Sequence, residues 1–271
     1  MKENKNQLMG VWSTFGIFVF LYFTIALVTK EQGFLWLLLT AYSLGVSIFL
    51  LKKHKVRKGK KLIMPVIFTF FYMLSSIYSF NLFSVIHAAT VFLASCAVIA
   101  TFTDVMGSFH WVKSGMKYDF VLSVFLGILI GVAWGIINYL LMREGNEKIP
   151  TEFMKASIVA LNPAVAEEIA NRTVFYAFCV HAMKGLPTSR KENLTCWFIM
   201  MVPHILPHIL FSLEGGFVNA LVSFIISLVL YILVFGFVFA FLQRKRDVLS
   251  AMVAHGLVDA IRFSILGLPF V

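Results

Sequence analysis

Charge is scarce in this chain. Only 13% of its 271 residues are Asp, Glu, Lys or Arg, while 60% are hydrophobic. Soluble domains carry roughly 45–50% apolar and about 25% charged residues, so a water-soluble globule is excluded and a polytopic membrane protein is expected. Cysteine is nearly absent as well. Cys96, Cys179 and Cys196 each fall inside an apolar stretch, with no CxxC pair. That excludes a disulfide framework and a cysteine-rich zinc site, and leaves packing roles for the three thiols. No stretch alternates polar and apolar residues with the period of two that a membrane barrel requires, so the 29 Phe fit lipid-facing helices. A long linker, a low-complexity tract and a second soluble domain are also lacking.

What is present is a series of nine apolar segments, at approximately 10–29, 34–51, 62–80, 82–102, 120–142, 153–182, 194–213, 217–242 and 248–266. Each is near the ~20 residues that cross a hydrocarbon core as a helix. With the N-terminus in the cytoplasm, the inside loops collect 17 basic residues and the outside segments four, the asymmetry of the positive-inside rule. The expected fold is all-α, a polytopic helix bundle of about eight or nine transmembrane helices in the cell membrane, with a cytoplasmic N-terminus. Lys2 and Lys5 precede an apolar run with no small-residue cleavage site, so an uncleaved first helix is expected rather than a signal peptide.

The net charge of +10 does not mark a nucleic-acid binder, because the cations concentrate in short loops. Seven of them (Lys52, Lys53, Lys55, Arg57, Lys58, Lys60 and Lys61) share one loop, for which anionic lipids are the expected partner. Gly127, Gly131 and Gly135 recur every fourth residue, a spacing that lets two helices approach closely, and are expected to form a packing seam.

Ionisable residues inside the spans are confined almost entirely to the last four. Each costs on the order of 2.5–3.5 kcal/mol at a membrane helix centre, so clusters call for partners and a purpose. Residues 1–142 are accordingly expected to be structural or substrate-gating spans, and 143–271 a catalytic core. In the sixth segment Pro163 removes a backbone hydrogen bond just before Glu167. Glu168 and Arg172, four apart, can share a helix face and pair, leaving Glu167 available for proton transfer. In the seventh, His204 and His208 follow Pro203 and Pro207 at a spacing of four. This is half of a zinc-protease helix, but Ile205 stands where HExxH requires its glutamate base. In the ninth, His255 and Asp259 are four apart with Arg262 three further on, so Asp259 can orient the imidazole, pair with the arginine, or do both. A rise of 1.5 Å per residue puts the three clusters at heights within about one or two helical turns of one another. Taken singly, each also fits a buried ion-pair network that only fixes packing.

Three ordered motifs, EEIANR at 167–172, MMVPH ending at His204 and HGLVD at 255–259, resemble those of the CPBP family, the CaaX-protease and bacteriocin-processing intramembrane peptidases. That family's pattern is EExxxR, then FxxxH, then HxxxN or HxxxD, and the resemblance covers roughly residues 150–265. The second motif begins here with Met200 instead of Phe, and His208 is the competing assignment. His204 is preferred because its distances from the flanking motifs are the more typical. The resemblance implies an intramembrane endopeptidase acting on a membrane-anchored or lipidated peptide or protein. Glu167 would be general base on a water held with His204, His255 and Asp259 would stabilise the oxyanion, and Glu168, Arg172 and His208 would support them. Many members carry Asn where this chain has Asp259. Because an ionised Asp cannot donate a hydrogen bond, Asp259 is expected to orient His255 or to be protonated itself. Ala170 and Thr173 depart from the Phe and Gly common around the arginine, which bears on substrate fit. No cofactor and no metal is expected for the glutamate mechanism, with a zinc-dependent variant as its alternative. Two other readings compete: a non-catalytic immunity or scaffold protein of the same fold, and a proton-coupled transporter. Transporters more often show inverted repeats, whereas the polar groups here crowd one half.

Overall fold

The computed structural model describes residues 8–56, 62–113, 115, 118–142, 150–213 and 215–268. Within them every one of the nine apolar segments is helical, and no strand occurs among the described residues. The helices are α1 (Met9–Thr29), α2 (Gln32–Lys53), α3 (Ile63–Ser75), α4 (Leu82–Met106), α5 (Asp119–Met142), α6 (Phe153–Val159), α7 (Val174–Met183), α8 (Arg190–Ile205), α9 (Phe217–Tyr231), α10 (Phe237–Lys245) and α11 (Val248–Leu266). Arg57, Lys58, Lys60 and Lys61 of the basic loop lie outside the described residues, as do Lys2, Lys5, Lys117, Arg143 and Lys148 of the charge tally.

Among the described residues, six helical stretches are long and apolar enough to cross a membrane: Met9–Thr29, Gln32–Lys53, Leu82–Met106, Asp119–Leu141, Phe217–Lys245 and Val248–Leu266. The three remaining segments are broken or shortened. The third continues from α3 through a 3-10 turn (Ser76–Tyr78) and stops where Asn81 caps α4. The Asn81 side chain accepts the Ser84 N–H at 3.1 Å, and the Asn81 N–H donates to the Ser84 hydroxyl at 3.3 Å. Such a cap satisfies orphan groups at a helix start and explains how two segments meet with almost no loop. The sixth is interrupted by two π turns, and the seventh is α8 followed by a 3-10 turn (Leu206–His208). Cys96, Cys179 and Cys196 are buried free thiols.

The chain divides into two compact units, each assembled from three stretches: 1–59, 93–109 and 170–240, and 60–92, 110–169 and 241–271. In the first, α1 packs on α2, and α7 packs on both α2 and α8. The Tyr42 ring stacks on Phe18 and on Phe175, each at 4.9 Å between centroids. The backbone just beyond α8 is tied down by these helices: Gln32 Nε2 donates to the Pro207 carbonyl at 2.7 Å, and the Tyr22 hydroxyl donates to that of Ile209. A buried carbonyl left unpaired would cost a lost hydrogen bond's worth of free energy, so these side chains set where the helix may end.

The second unit is organised by α5 and α11. A Cβ added to Gly127 would sit 2.7 Å from Val253 Cβ, one on Gly131 2.9 Å from the Ala254 carbonyl oxygen, and one on Gly135 2.7 Å from Ile261 Cδ1. The expected glycine seam is therefore present, and its partner is α11. Asp247 caps α11 by accepting the Ser250 N–H at 2.8 Å, and also accepts the Lys113 N–H at 3.0 Å. Beside it, half-buried Arg246 pairs with buried Asp119 at 2.7 Å, which pins the start of α5 to the start of α11. On another face α11 meets α6 and the first π turn, where a Cβ on Gly256 would lie 3.0 Å from that of Ala164.

Candidate active site

The loosening expected at Pro163 takes a definite form. Pro163–Glu167 and Ile169–Thr173 are successive π turns, with Glu168 between them. A π turn hydrogen-bonds i to i+5, and such bulges frequently mark functional sites. Here the wider turns carry the whole EEIANR motif, so side-chain directions computed for a regular 3.6-residue helix do not apply to it.

In the second unit Glu167 and Glu168 of this segment face His255 of α11. Both ring nitrogens of that imidazole meet carboxylates. Nδ1 lies 2.6 Å from Glu168 Oε1, while Nε2 is 3.5 Å from Glu167 Oε2 and 3.5 Å from Asp259 Oδ2. Glu168 is wholly buried. Its other oxygen accepts from Gln243 Nε2 at 2.6 Å, and the same amide nitrogen donates to the Glu168 backbone carbonyl at 3.0 Å. Asp259 is shared: besides lying near His255 it meets Arg262 at 3.1 Å, so it stands next to both of the groups the sequence offered it. A buried charge without such partners would cost several kcal/mol, and here each carboxylate has an imidazole or guanidinium beside it.

In the first unit, His204 is buried and His208 half-buried. Their rings lie 5.2 Å apart at 85°, although His208 has left the α-helix for the 3-10 turn. Trp36 stands edge-on to His208 at 4.8 Å, and Tyr231 stacks on it at 5.7 Å. Arg172 is wholly buried, with its guanidinium 5.2 Å over the Phe239 ring, a cation–π arrangement favoured by desolvation. Ser43 donates to the Asn171 side-chain oxygen at 3.1 Å, which fixes the residue next to the arginine.

Thus Glu167, Glu168, His255 and Asp259 are brought together in one unit, and His204 and His208 stand side by side in the other. Two features escaped the sequence. The residue that grips His255 Nδ1 is Glu168, expected there to pair with Arg172. Gln243 was not singled out, although a lone amide just before Arg244 at the end of an apolar run was a visible signal. What the second-unit cluster can do chemically is hold an imidazole between a fully buried carboxylate and a more accessible one, the arrangement in which a ring N–H is aimed and a base stands next to it.

Residues 149–261 match the model of a protein family described as type II CAAX prenyl endopeptidase Rce1-like. Among curated proteins and solved structures, nothing matches the chain. The matched stretch contains all three motifs, from Glu167 through His204 to Asp259. Over residues 149–261 the chain is thus similar to the Rce1-like family of type II CAAX prenyl endopeptidases.

Proposed function

We propose that this protein is an intramembrane endopeptidase whose general base is Glu167. The observation that carries the assignment is the difference in exposure among the three carboxylates around His255. The Glu167 side chain is 16% exposed, against 0% for Glu168 and 7% for Asp259. A base must reach a water, and Glu167 is the member of the set that water reaches most readily. It takes a proton from that water, the resulting hydroxide adds to the scissile carbonyl carbon, and the C=O electrons move onto oxygen. The His255 Nε2–H, aimed by Glu168 on Nδ1, donates to this oxyanion, the kind of interaction whose removal costs about 10²–10³ in rate. Collapse of the intermediate breaks the C–N bond, and the proton held by Glu167 passes to the departing amine. His204 is assigned to the water by its motif. Asp259, held by Arg262, stays beside Nε2 as a positioning group.

The substrate proposed is a membrane-anchored protein or peptide with a prenylated C-terminus, in keeping with the family's description. The proposed setting is the cell membrane with the N-terminus in the cytoplasm, supported by the basic-residue asymmetry and the six apolar helices.

The test is hydrolysis by the purified protein in lipid nanodiscs, with a prenylated CaaX peptide and its unprenylated counterpart followed by mass spectrometry. The expected result is two fragments whose masses sum to the prenylated peptide plus one water, with little cleavage of the unprenylated form. Intact substrate under all conditions contradicts the proposal. A chelator series on the same reaction separates the mechanisms: activity that survives supports the glutamate route, and activity lost and restored by zinc overturns it in favour of the zinc-dependent variant.

A further inference from the structure

Away from the peptidase motifs, the first compact unit contains a cavity of about 1060 Å³ between α1, α2, the end of α4 and the end of α7. Its walls are apolar. Along α1 it extends from Gly10 to Leu21, and along α2 from Leu38 to Phe49. Eleven residues of helix rise about 16 Å, close to half of the ~30 Å hydrocarbon core, that is, one leaflet. Ile17, Leu21 and Phe49 are at once wall residues and exposed, so the cavity opens sideways where lipid would surround the helices.

One end is polar. His54, which follows α2, is buried. Its Nδ1 pairs with Asp104 at 2.7 Å, and its Nε2 is 2.7 Å from His181 Nδ1. Lys184 lines the same end, and Lys53 lies with its Nζ 5.9 Å from the Phe49 ring centroid. Asp104 is the single acidic wall residue, and the two lysines outnumber it, so this end is electropositive.

From this match of length and charge we propose that the cavity is a binding site for one anionic phospholipid, with an acyl chain along α1 and α2 and the phosphate at Lys53, Lys184 and the His54–His181 pair. The acyl chain itself gives little preference, since a bilayer is as apolar as the wall. Selectivity resides in the headgroup, where each basic side chain near the surface favours an anionic lipid by about fivefold. The inference is independent of the peptidase reading.

The experiment is native mass spectrometry of the full chain in detergent with equimolar phosphatidylglycerol and phosphatidylcholine. One phosphatidylglycerol per chain is expected, in about fivefold or greater excess over phosphatidylcholine. Gly45 lines the cavity, and a Cβ on it would meet nothing within 4 Å, so Gly45→Phe fills the space and should expel the lipid. Gly10→Leu does the same from α1 and serves if the first variant fails to fold. Gly16→Phe, on α1 but outside the wall, should retain it. Lys184 holds a left-handed backbone (φ 56°), which Asn tolerates, so Lys184→Asn should lower the headgroup preference while leaving a lipid bound. Equal retention of the two lipids by the wild type overturns the proposal, as does retention by both filled variants. Displacement by millimolar inorganic phosphate would identify a free-anion site instead, and displacement by an uncharged isoprenoid alcohol an apolar-chain site. Either result contradicts the phospholipid assignment.

Discussion

Two histidines in this protein are each held by an acid, and the two settings are built differently. His255 sits beside wholly buried Glu168, whose second oxygen is taken by Gln243, with Glu167 and Asp259 at the other ring nitrogen. His54 sits beside Asp104, whose side chain is 59% exposed, with a second imidazole, His181, at its other nitrogen. In the first setting the acid can neither move nor be replaced by water, so the imidazole is aimed before any substrate arrives, the condition for electrostatic preorganisation. In the second the acid is largely exposed, which suits a polar end that greets a charged headgroup. The same pair of residue types thus serves chemistry or recognition according to whether the carboxylate is buried.

The comparison can be broken by removing each acid. Glu168→Ala leaves His255 and Gln243 facing an empty buried position. Loss of one partner of a buried pair costs about 3–5 kcal/mol, so thermal unfolding in detergent should shift strongly downward and hydrolysis should fall with it. The seam that carries His255 comes next. Gly131→Val forces side-chain atoms into the Ala254 carbonyl, which a Cβ alone would approach to 2.9 Å. Overpacking of this kind costs about 1–3 kcal/mol, and a variant that still folds should lose hydrolysis because α11 is displaced, measured by melting and activity together. By contrast, Asp104→Asn should change stability by only about 0.2–1 kcal/mol, as for exposed pairs. If it matched Glu168→Ala, the distinction drawn from burial would fail.

The smallest effect concerns an acid outside the apolar segments. Glu192 and Ser189 form a capping box at the start of α8, and the backbone N–H groups of Ser189 and Thr188 hold the Glu192 carboxyl below the usual range. A carboxyl lowered on folding contributes stability that is full above its unfolded pKa and is lost as pH falls through the folded one. Glu192→Gln should therefore flatten a shallow acid-side loss of melting temperature. An unchanged acid profile would show that the cap contributes nothing measurable.

Much of this was legible in sequence where the signal is local. The apolar segments marked by hydropathy are helical, although only six helical stretches among the described residues are long and apolar enough to cross a membrane. The Gly127–Gly131–Gly135 spacing announced a seam, though not that α11 was its partner. Proline before EEIANR announced a loosened helix, but not two successive π turns, which are rare and carry no sequence signature of their own. The Glu168–His255 contact was missed for a related reason: i, i+4 reasoning finds partners on one helix, and a buried acid is satisfied by whichever helix reaches it. Asp104, His54 and His181 had no signal at all, since separations of 50 and 127 residues bring them together only through tertiary packing.

The account rests on Glu167 as the base. The most direct measurement is single-turnover hydrolysis of a lipidated peptide by wild type and Glu167→Gln, with melting curves confirming equal folding. The account predicts a loss of about 10²–10⁴-fold, the range for a positioned general base, with stability nearly unchanged. Cleavage by Glu167→Gln within a few-fold of wild type would contradict it.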